Sequence, residues 1–318
     1  MTNETDIGPV GAAHMPVLVE VVVRWVRPRP GACLVDATVG LGGHAAALLA
    51  AAAPGTRLLG LDRDPDALAR AARRLADFPG VELRHAHFTE LPAVLAELGW
   101  SGADALLVDL GVSSLQLDDP SRGFSFRAEG PLDMRMDPRD PGTAGEVVNT
   151  WPEAELAGVI ARYGEEPRAR AVARAIVRAR PLHTTAALAG VIASVLGRGR
   201  PGLHPATRTF QALRIAVNDE LAGLERLLAE GYTLLRAGGR MLVLAYHSLE
   251  DRLVKQAFRR WAADCLCPPE VPRCVCGWSA QVNILTPRPV RPEPGEVVRN
   301  PRARSARLRV VERRGGVA

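Results

Sequence analysis

The stretch "LVDATVGLGGHAAAL", Leu34–Leu48, decides how this chain folds. Its apolar start predicts a short buried strand that ends at Asp36, and the glycines after it predict a tight turn into an alanine-rich helix. Gly40, Gly42 and Ala45 satisfy the looser form of a dinucleotide-binding turn, G-x-G-x-x-G/A. The stretch therefore indicates the first strand–turn–helix unit of a parallel, ligand-binding sheet.

The same unit recurs along the chain. In "TRLLGLDRDPDALARAARRL" an apolar strand is followed by a helix for which Asp64 is a good N-cap and Pro65 suits the first position. Strands that alternate with helices predict a parallel sheet covered on both faces. We predict its strands at Cys33–Asp36, Arg57–Leu61, Val81–Phe88, Ala103–Gly111, Gly238–Ser248 and, near the end, Ser305–Arg313.

Strand patterns are missing between about residues 115 and 215. Segments there, such as "WPEAELAGVIARYG" and "TTAALAGVIASVLG", have helical periodicity instead. The predicted fold class is therefore α/β, with a doubly wound sheet formed by residues 1–114 and 216–318 and an all-helical insertion at 115–215.

Asp36 bears on the choice of cofactor. A dinucleotide would place its pyrophosphate at the N-terminus of the following helix, and Asp36 would then lie near a negative group. S-adenosylmethionine has no phosphate and carries cationic sulfonium and ammonium groups, so a carboxylate beside the turn is tolerated or helpful. The balance favours S-adenosylmethionine over a nicotinamide cofactor.

Three further residues are predicted at strand ends, where ligands of such sheets bind. Asp62 is placed to accept ribose hydroxyls, Phe88 to pack on adenine, and Asp109 to lie near the methyl acceptor. Plainer roles are open as well. Asp62 would serve as a turn residue in "DRDP", and Phe88 as an ordinary core residue.

Positive charge is concentrated near the C-terminus. Residues 286–314 hold nine arginines against three glutamates, while the whole chain has a net charge of +5. This segment is either a contact for a phosphate backbone or a solvated, partly flexible tail. No apolar run reaches membrane-spanning length, and the N-terminus lacks the pattern of a secretory signal. We therefore expect a cytoplasmic protein.

Four cysteines lie close together in "CLCPPEVPRCVCG", namely Cys265, Cys267, Cys274 and Cys276. Two close pairs across a proline-rich turn suit a four-thiolate zinc site, but the spacing is C-x-C and not the usual C-x-x-C. Disulfides are disfavoured in the cytoplasm. We expect reduced thiols in a loop and assign no metal ligands.

Several longer motifs match one family. They are "HMPVLVE" (His14–Glu20), "DATVGLGGH" (Asp36–His44), "LDRDPDAL" (Leu61–Leu68), "VDLGVSSLQLDDPSRGFSFRAEGPLDMRMD" (Val108–Asp137), "HPATRTFQALRIAVNDEL" (His204–Leu221) and "YHSLEDRLVK" (Tyr246–Lys255). With these motifs the sequence resembles the family of ribosomal RNA small subunit methyltransferase H over nearly its whole length. One departure is visible, because Tyr246 stands where the family usually has Phe.

The resemblance implies a class I (Rossmann-like) methyltransferase sheet, with the helical insertion as a substrate-recognition domain. It implies that S-adenosylmethionine donates a methyl group to N4 of a cytidine in 16S ribosomal RNA, near the decoding site of the small subunit. A homodimer is compatible with the sequence, which leaves the oligomeric state open. The cofactor contacts implied are Gly42, Gly43, His44, Asp62, Phe88, Asp109 and Gln116.

The N4 amine of cytosine is a weak nucleophile because its lone pair is delocalised into the ring. Asp109 is our candidate catalytic residue, as the acceptor that orients this amine, and a role limited to the cofactor is the alternative. The loop after Asp109 has no aromatic platform, so Phe124 or Phe126 is the candidate for stacking on the base. A non-catalytic RNA-binding protein and a nicotinamide-dependent oxidoreductase are the competing functions.

Overall fold

The computed structural model describes residues 15–197, 204–271 and 273–315. A seven-stranded sheet organises this part of the chain. Its strands are β1 (Cys33–Asp36), β2 (Arg57–Asp62), β3 (Val81–His85), β4 (Ala103–Asp109), β5 (Leu235–Ala245), β6 (Val282–Ile284) and β7 (Arg307–Arg313).

Thirteen α-helices are found in the described ranges. Those that flank the sheet are α1 (Val19–Val26), α2 (Gly43–Ala50), α3 (Pro65–Leu75), α4 (Leu91–Glu97), α11 (Glu220–Glu230), α12 (Ser248–Trp261) and α13 (Pro294–Arg299). Those between β4 and α11 are α5 (Ser114–Asp118), α6 (Ala144–Thr150), α7 (Glu153–Gly164), α8 (Ala169–Arg178), α9 (Thr185–Leu196) and α10 (Thr207–Asn218).

The strands are ordered β3-β2-β1-β4-β5-β7-β6. The first five pair in parallel, and β7 runs antiparallel to both of its neighbours. This order and direction of strands define the class I methyltransferase sheet, so the predicted fold class is confirmed. The register places the ends of β1, β2 and β4 at one edge, since Asp36 lies opposite Gly60 and Leu107.

The two faces of the sheet carry separate apolar cores. Val35, Leu106 and Met241 point to the face covered by α4, α11 and α12, where Phe258 and Trp261 are fully buried. Residues that alternate with these in the strands point to the opposite face, covered by α1, α2 and α3. Burial on both faces explains why the central strands are almost entirely apolar.

The helices between β4 and α11 have a core of their own. Met134, Leu156, Val172, Ile192 and Leu213 are fully buried in it. In the described part of 115–215 no strand forms, and the only sheet-like pairing is an isolated bridge between Pro131 and Thr184. The predicted upper limit at 215 falls inside α10, which continues to Asn218.

Several predicted strand bounds are wrong by two or three residues, including the end of β4 at Asp109 and the start of β7 at Arg307, and one strand was missed. β3 ends at His85, and Phe88 instead begins a short 3-10 helix capped by the His87 side chain. β5 begins at Leu235 and ends at Ala245, because His247 caps the next helix, α12. β6 was not predicted, since three residues between proline-rich loops give no clear alternation. Among the described helices, none is both long and apolar enough to cross a bilayer.

Candidate active site

A cavity of about 460 Å³ opens at the carboxyl edge of the strands. It is lined by residues of the glycine turn, of the β2, β4 and β5 ends, and of α10 and α11. Of the residues implied by the family resemblance, six line this cavity: Gly43, His44, Asp62, Phe88, Asp109 and Gln116. Gly42 does not line it. Its φ of 74° instead allows the turn to enter α2.

Asp62 holds the glycine turn in place. Its carboxylate accepts hydrogen bonds from the Gly40 N–H at 2.7 Å and from the Asp64 N–H at 2.9 Å. Each carboxylate oxygen keeps a free lone pair, so both can still accept a hydroxyl from a ligand. Burial raises the pKa of Asp62 to about 6. The residue therefore both shapes the turn and presents acceptors to the cavity.

Asp36 lies behind the turn and does not line the cavity. Only 1% of its surface is exposed, one carboxylate oxygen accepts the Thr38 N–H at 3.3 Å, and the other has no hydrogen-bond partner. Burial raises its pKa to about 7, opposed by His44 and assisted by the Asp109 carboxylate. Asp36 therefore affects the cavity through its electrostatic field and not through contact with a ligand.

The N-terminus of α2 is partly covered by Pro16. A Cβ atom at Gly43 would lie 2.5 Å from Cγ of Pro16, so the proline ring fills the space over the first turn. The turn's own donors are used internally, since Gly42 N–H donates to the Val39 carbonyl and Gly40 N–H to Asp62. With carboxylates beside it and two of its donors already used, the turn fits a cationic, phosphate-free ligand such as S-adenosylmethionine.

Asp109 is held from two sides. The Tyr246 hydroxyl donates to its Oδ1 at 2.8 Å, and Nδ1 of His44 lies 3.6 Å from its Oδ2. The Val17 carbonyl, 2.8 Å from His44 Nε2, can only accept a hydrogen bond, so Nε2 carries a proton. His44 Nδ1 and the Asp109 carboxyl therefore attract each other only when one of them is protonated. Burial raises the pKa of Asp109.

Phe88 forms an apolar wall on the side of β2. It is 8% exposed and lines the cavity next to Leu110 and Leu224. The His87 ring packs on it, with 3.9 Å between ring centroids. Burial, helped by nearby arginines, lowers the pKa of His87 to about 4, so this ring is neutral at physiological pH. The wall can accept a flat, uncharged ring.

Gln116 connects the β4 loop to α3. Its Oε1 accepts the Ser113 N–H at 2.9 Å, and its Nε2 donates to the buried Asp64 carboxylate at 2.8 Å. Arg122 pairs with the same Asp64 oxygen at 2.9 Å. The Gln116 side chain is thus fixed at both ends. Its side chain lines the cavity in a fixed orientation, and one of its two Nε2 hydrogens remains free.

Residues that sequence reasoning did not single out form the far wall. Arg214 and Glu220 pair through two hydrogen bonds of 2.8 Å. Glu250 is 2% exposed and accepts the backbone N–H groups of Tyr246 and His247. Burial alone would raise the pKa of Glu250, but His247 and Arg214 hold it below its usual value. Their only signal was membership of the family motifs at His204–Leu221 and Tyr246–Lys255.

The two ends of the described chain meet over the cavity. Glu296 accepts the Leu18 N–H at 2.7 Å, and the Asn300 side chain donates to the Met15 carbonyl at 3.0 Å. Asn300, Arg302 and Ser305 all line the cavity. The idea of a merely solvated tail is therefore wrong for this segment.

The expected placement of the stacking aromatic residues is wrong. Phe124 and Phe126 pack in the core of the helices, where Phe126 contacts His204 and Phe210, and neither lines the cavity. The four clustered cysteines are unpaired thiols, as expected, and their sulfurs lie within 4.8 Å of one another.

Comparison with known proteins agrees with this site. Residues 11–314 match the sequence model of the MraW methylase family. The chain belongs to the MraW methylase family. Like the other members of that family, it is an S-adenosylmethionine-dependent methyltransferase, which excludes the oxidoreductase and the non-catalytic alternatives.

Two relatives of this family member carry the name ribosomal RNA small subunit methyltransferase H. The protein from Thermomicrobium roseum is 52% identical over 309 residues, which cover 96% of this chain and 95% of that protein. The protein from Geobacter sulfurreducens is 52% identical and covers 95% of this chain and 99% of its own. An rRNA methylase structure from Streptococcus thermophilus aligns with a TM-score of 0.39 and 12% identity, covering 95% of this chain and all of that one.

Proposed function

We propose that this methyltransferase transfers a methyl group from S-adenosylmethionine to the N4 amine of a cytidine in 16S ribosomal RNA, near the decoding site of the small subunit. Relatives at 52% identity over nearly the full length, named for the ribosomal small subunit, support the substrate. The placement of the Asp109 carboxylate in the same cavity as Asp62 supports an amine as the acceptor. A cytoplasmic location, where ribosomal subunits are found, belongs to the proposal.

Asp62, Phe88 and the glycine turn are proposed to hold the cofactor. The two free lone pairs of Asp62 would accept ribose hydroxyls, and Phe88 would pack on the adenine. When bound, S-adenosylmethionine supplies an electrophilic methyl group on a cationic sulfur. The nearby Asp36 and Asp109 carboxyls make this part of the protein favourable to positive charge.

Asp109 is proposed to orient the amine. Its carboxylate can accept one N4–H and so turn the nitrogen lone pair toward the methyl group. Methyl transfer to the amine would leave the N4 nitrogen cationic, so one N4 proton would have to pass to an acceptor. The raised pKa of Asp109 makes its carboxylate a better acceptor for that proton than an exposed aspartate would be.

His44 and Tyr246 are proposed to position Asp109. Tyr246 fixes one carboxylate oxygen and His44 faces the other, so the carboxyl group has little rotational freedom. Tyr246 and His247 are also the aromatic side chains that line the cavity on the β5 side. We therefore assign base packing to these rings in place of Phe124 and Phe126.

The helical insertion is proposed to bind the RNA. Its own apolar core makes it a separate packing unit, and Arg122 and Arg63 tie it to the sheet through Asp64 and Asp140. We place its lower limit at 115 and its upper limit near the end of α10. Two units with a ligand cavity between them suit a large substrate that approaches a small cofactor.

The proposal is tested by methylating small subunits from a strain that lacks this enzyme activity. Purified protein and methyl-labelled S-adenosylmethionine are added, and the RNA is digested and sequenced by mass spectrometry. One N4-methylcytidine in 16S RNA is the expected product. Label at a ring carbon, at another base or in ribosomal protein would overturn the proposal. Naked 16S RNA, run in parallel, decides whether an assembled subunit is required.

A further inference from the structure

We propose that Cys265, Cys267, Cys274 and Cys276 form a tetrahedral Zn²⁺ site that staples the loop between α12 and β6. The four sulfurs all lie within 4.8 Å of one another. The Cys265–Cys274, Cys274–Cys276 and Cys265–Cys276 sulfurs are 3.4, 3.5 and 3.8 Å apart. A tetrahedron with Zn–S bonds of about 2.3 Å has sulfurs about 3.8 Å apart, so the cluster has the size of a mononuclear site.

Backbone N–H groups support this assignment. Cys267 N–H points to the Cys265 sulfur at 3.3 Å, Leu266 N–H to Cys276 at 3.4 Å and Val275 N–H to Cys267 at 3.3 Å. Donors aimed at sulfur stabilise thiolates, which are the form that binds metal, and such outer partners are typical of metal sites. The C-x-C spacing is not the usual one for zinc. The sulfurs nevertheless come together, because the Cys265–Cys267 and Cys274–Cys276 segments face each other across the turn.

The loop has little else to hold it. Residues 262–281 contain no helix or strand in their described part, and Ala280 is their only buried residue there. Val275 is 82% exposed at the tip. The base of the loop is closed by hydrogen bonds from Gln281 N–H to the Trp261 carbonyl and from the Trp278 ring to the Ala263 carbonyl. A metal ion bound by the four cysteines would order the end of this loop, which has no apolar core to do so.

Zinc is preferred over other metals by the ligands. Four thiolates select zinc or iron, and the sulfur spacing excludes a cluster of several metal ions. The cysteines do not line the active-site cavity, so this metal would be structural. The inference is independent of the rRNA substrate.

Metal analysis of the untagged full chain, purified under reducing conditions, tests the site. We expect about one zinc per chain, lost in Cys274→Ser and in Cys276→Ser. Cys33→Ala is the matched control, since Cys33 is buried in β1 and should leave the zinc content unchanged. If the serine variants fail to fold, Co²⁺ added to zinc-depleted wild-type protein should give the absorption bands of tetrahedral thiolate coordination.

Zinc removal should increase proteolysis within residues 262–281 while S-adenosylmethionine affinity stays unchanged. The proposal is overturned if purified protein binds neither zinc nor cobalt, if iron is found at the same stoichiometry, or if the intact mass shows these cysteines paired in disulfides. None of these readouts depends on RNA methylation.

Discussion

The aspartates at the carboxyl edge of the sheet and the arginines of residues 286–314 are organised in opposite ways. Asp36, Asp62 and Asp109 are far apart in the chain, yet parallel strands in one register bring them to the same edge of the sheet. The arginines are close in the chain, but in the structure they pair with carboxylates of different segments. Arg307 and Arg309 pair inward with Asp251, while Arg302 pairs with Asp118.

Charged residues that are close in the sequence therefore need not form a charged site, and charged residues that form a site need not be close in the sequence. Burial raises the pKa values of Asp36 and Asp62, and repulsion from neighbouring carboxylates adds to the effect. The inward arginines are already neutralised. Within the described residues 286–314, only Arg288, Arg291, Arg299 and Arg304 lie exposed without a carboxylate within 4.0 Å.

The strongest test of the aspartate side is Asp109→Asn. We expect turnover on small subunits to fall by about 10²–10⁴-fold, because the amide cannot accept the N4 proton. Affinity for S-adenosylmethionine should change little, since Asn keeps an acceptor for Tyr246 and can donate to His44. Single-turnover methylation and calorimetric titration separate the two effects.

Asp104→Asn is its matched control, because Asp104 lies in the same strand at the opposite edge, bonded to Cys33 N–H and Arg236. Equal losses of rate and cofactor affinity in Asp109→Asn would reduce Asp109 to a cofactor ligand.

On the arginine side, Asp251→Asn should destabilise the fold by about 2–4 kcal/mol. The change leaves Arg309, which is 9% exposed at its side chain, without its charge partner. Chemical unfolding measures the loss. Asp264→Asn serves as control, since Asp264 is 91% exposed and its 3.8 Å contact with Arg314 should contribute almost nothing. Equal stability of the two variants would show that β7 holds its arginines by packing alone.

Asp62→Ala should weaken S-adenosylmethionine binding by roughly 1–3 kcal/mol, because ribose hydroxyls lose their acceptors. Calorimetry measures the change, and thermal unfolding checks that the turn survives loss of the Gly40 and Asp64 hydrogen bonds. Asp66 is exposed in the first turn of α3, and the Asp66→Ala variant should bind the cofactor normally. Unchanged affinity in Asp62→Ala would leave Asp62 as a turn residue only.

The role of Asp62 also predicts how the stability of the cofactor-free protein depends on pH. Asp62 has a folded pKa of about 6, above its ordinary value of 3.8, so the native state binds more protons than the unfolded state in that interval. Its stability contribution is present below pH 3.8 and lost as pH rises through about 6. Cofactor affinity should change in the opposite direction and fall below about pH 6, because the hydroxyls need the ionised carboxylate.

The smallest effect is expected from the exposed arginines. Arg288→Gln, Arg291→Gln and Arg304→Gln together should lower RNA affinity and reduce the slope of its logarithm against salt by about 0.7–0.9 for each phosphate that is no longer neutralised. Filter binding at several salt concentrations measures the slope. Replacing Arg70, Arg73 and Arg74 of α3 by Gln removes the same charge elsewhere. An identical loss of RNA affinity in both triple variants would mean that the position of the arginines on the surface does not matter.

The contrast between the aspartates and the arginines also explains which parts of the site could be predicted from the sequence. Strand ends in a parallel sheet share one edge, so placing Asp62 and Asp109 at the cavity needed only the strand pattern. His44 and Gln116 required the family resemblance. Glu250, Arg214 and Glu220 were missed because their roles depend on how α10, α11 and α12 pack, which local periodicity does not encode. The short distances between the four cysteine sulfurs could not be predicted, because residue spacing does not fix the path of a loop.

The contact between the chain ends has a consequence for synthesis of the protein. Pro16 packs against the start of α2 and the Val17 carbonyl bonds His44, while the flanking Met15 and Leu18 are held by Asn300 and Glu296. Glu296 is 278 residues away from its partner Leu18. Translation proceeds from the N-terminus, so the clasp between the chain ends can close only after Glu296 and Asn300 have left the ribosome. A nascent chain that lacks these residues therefore has strands β1 to β4 without the clasp.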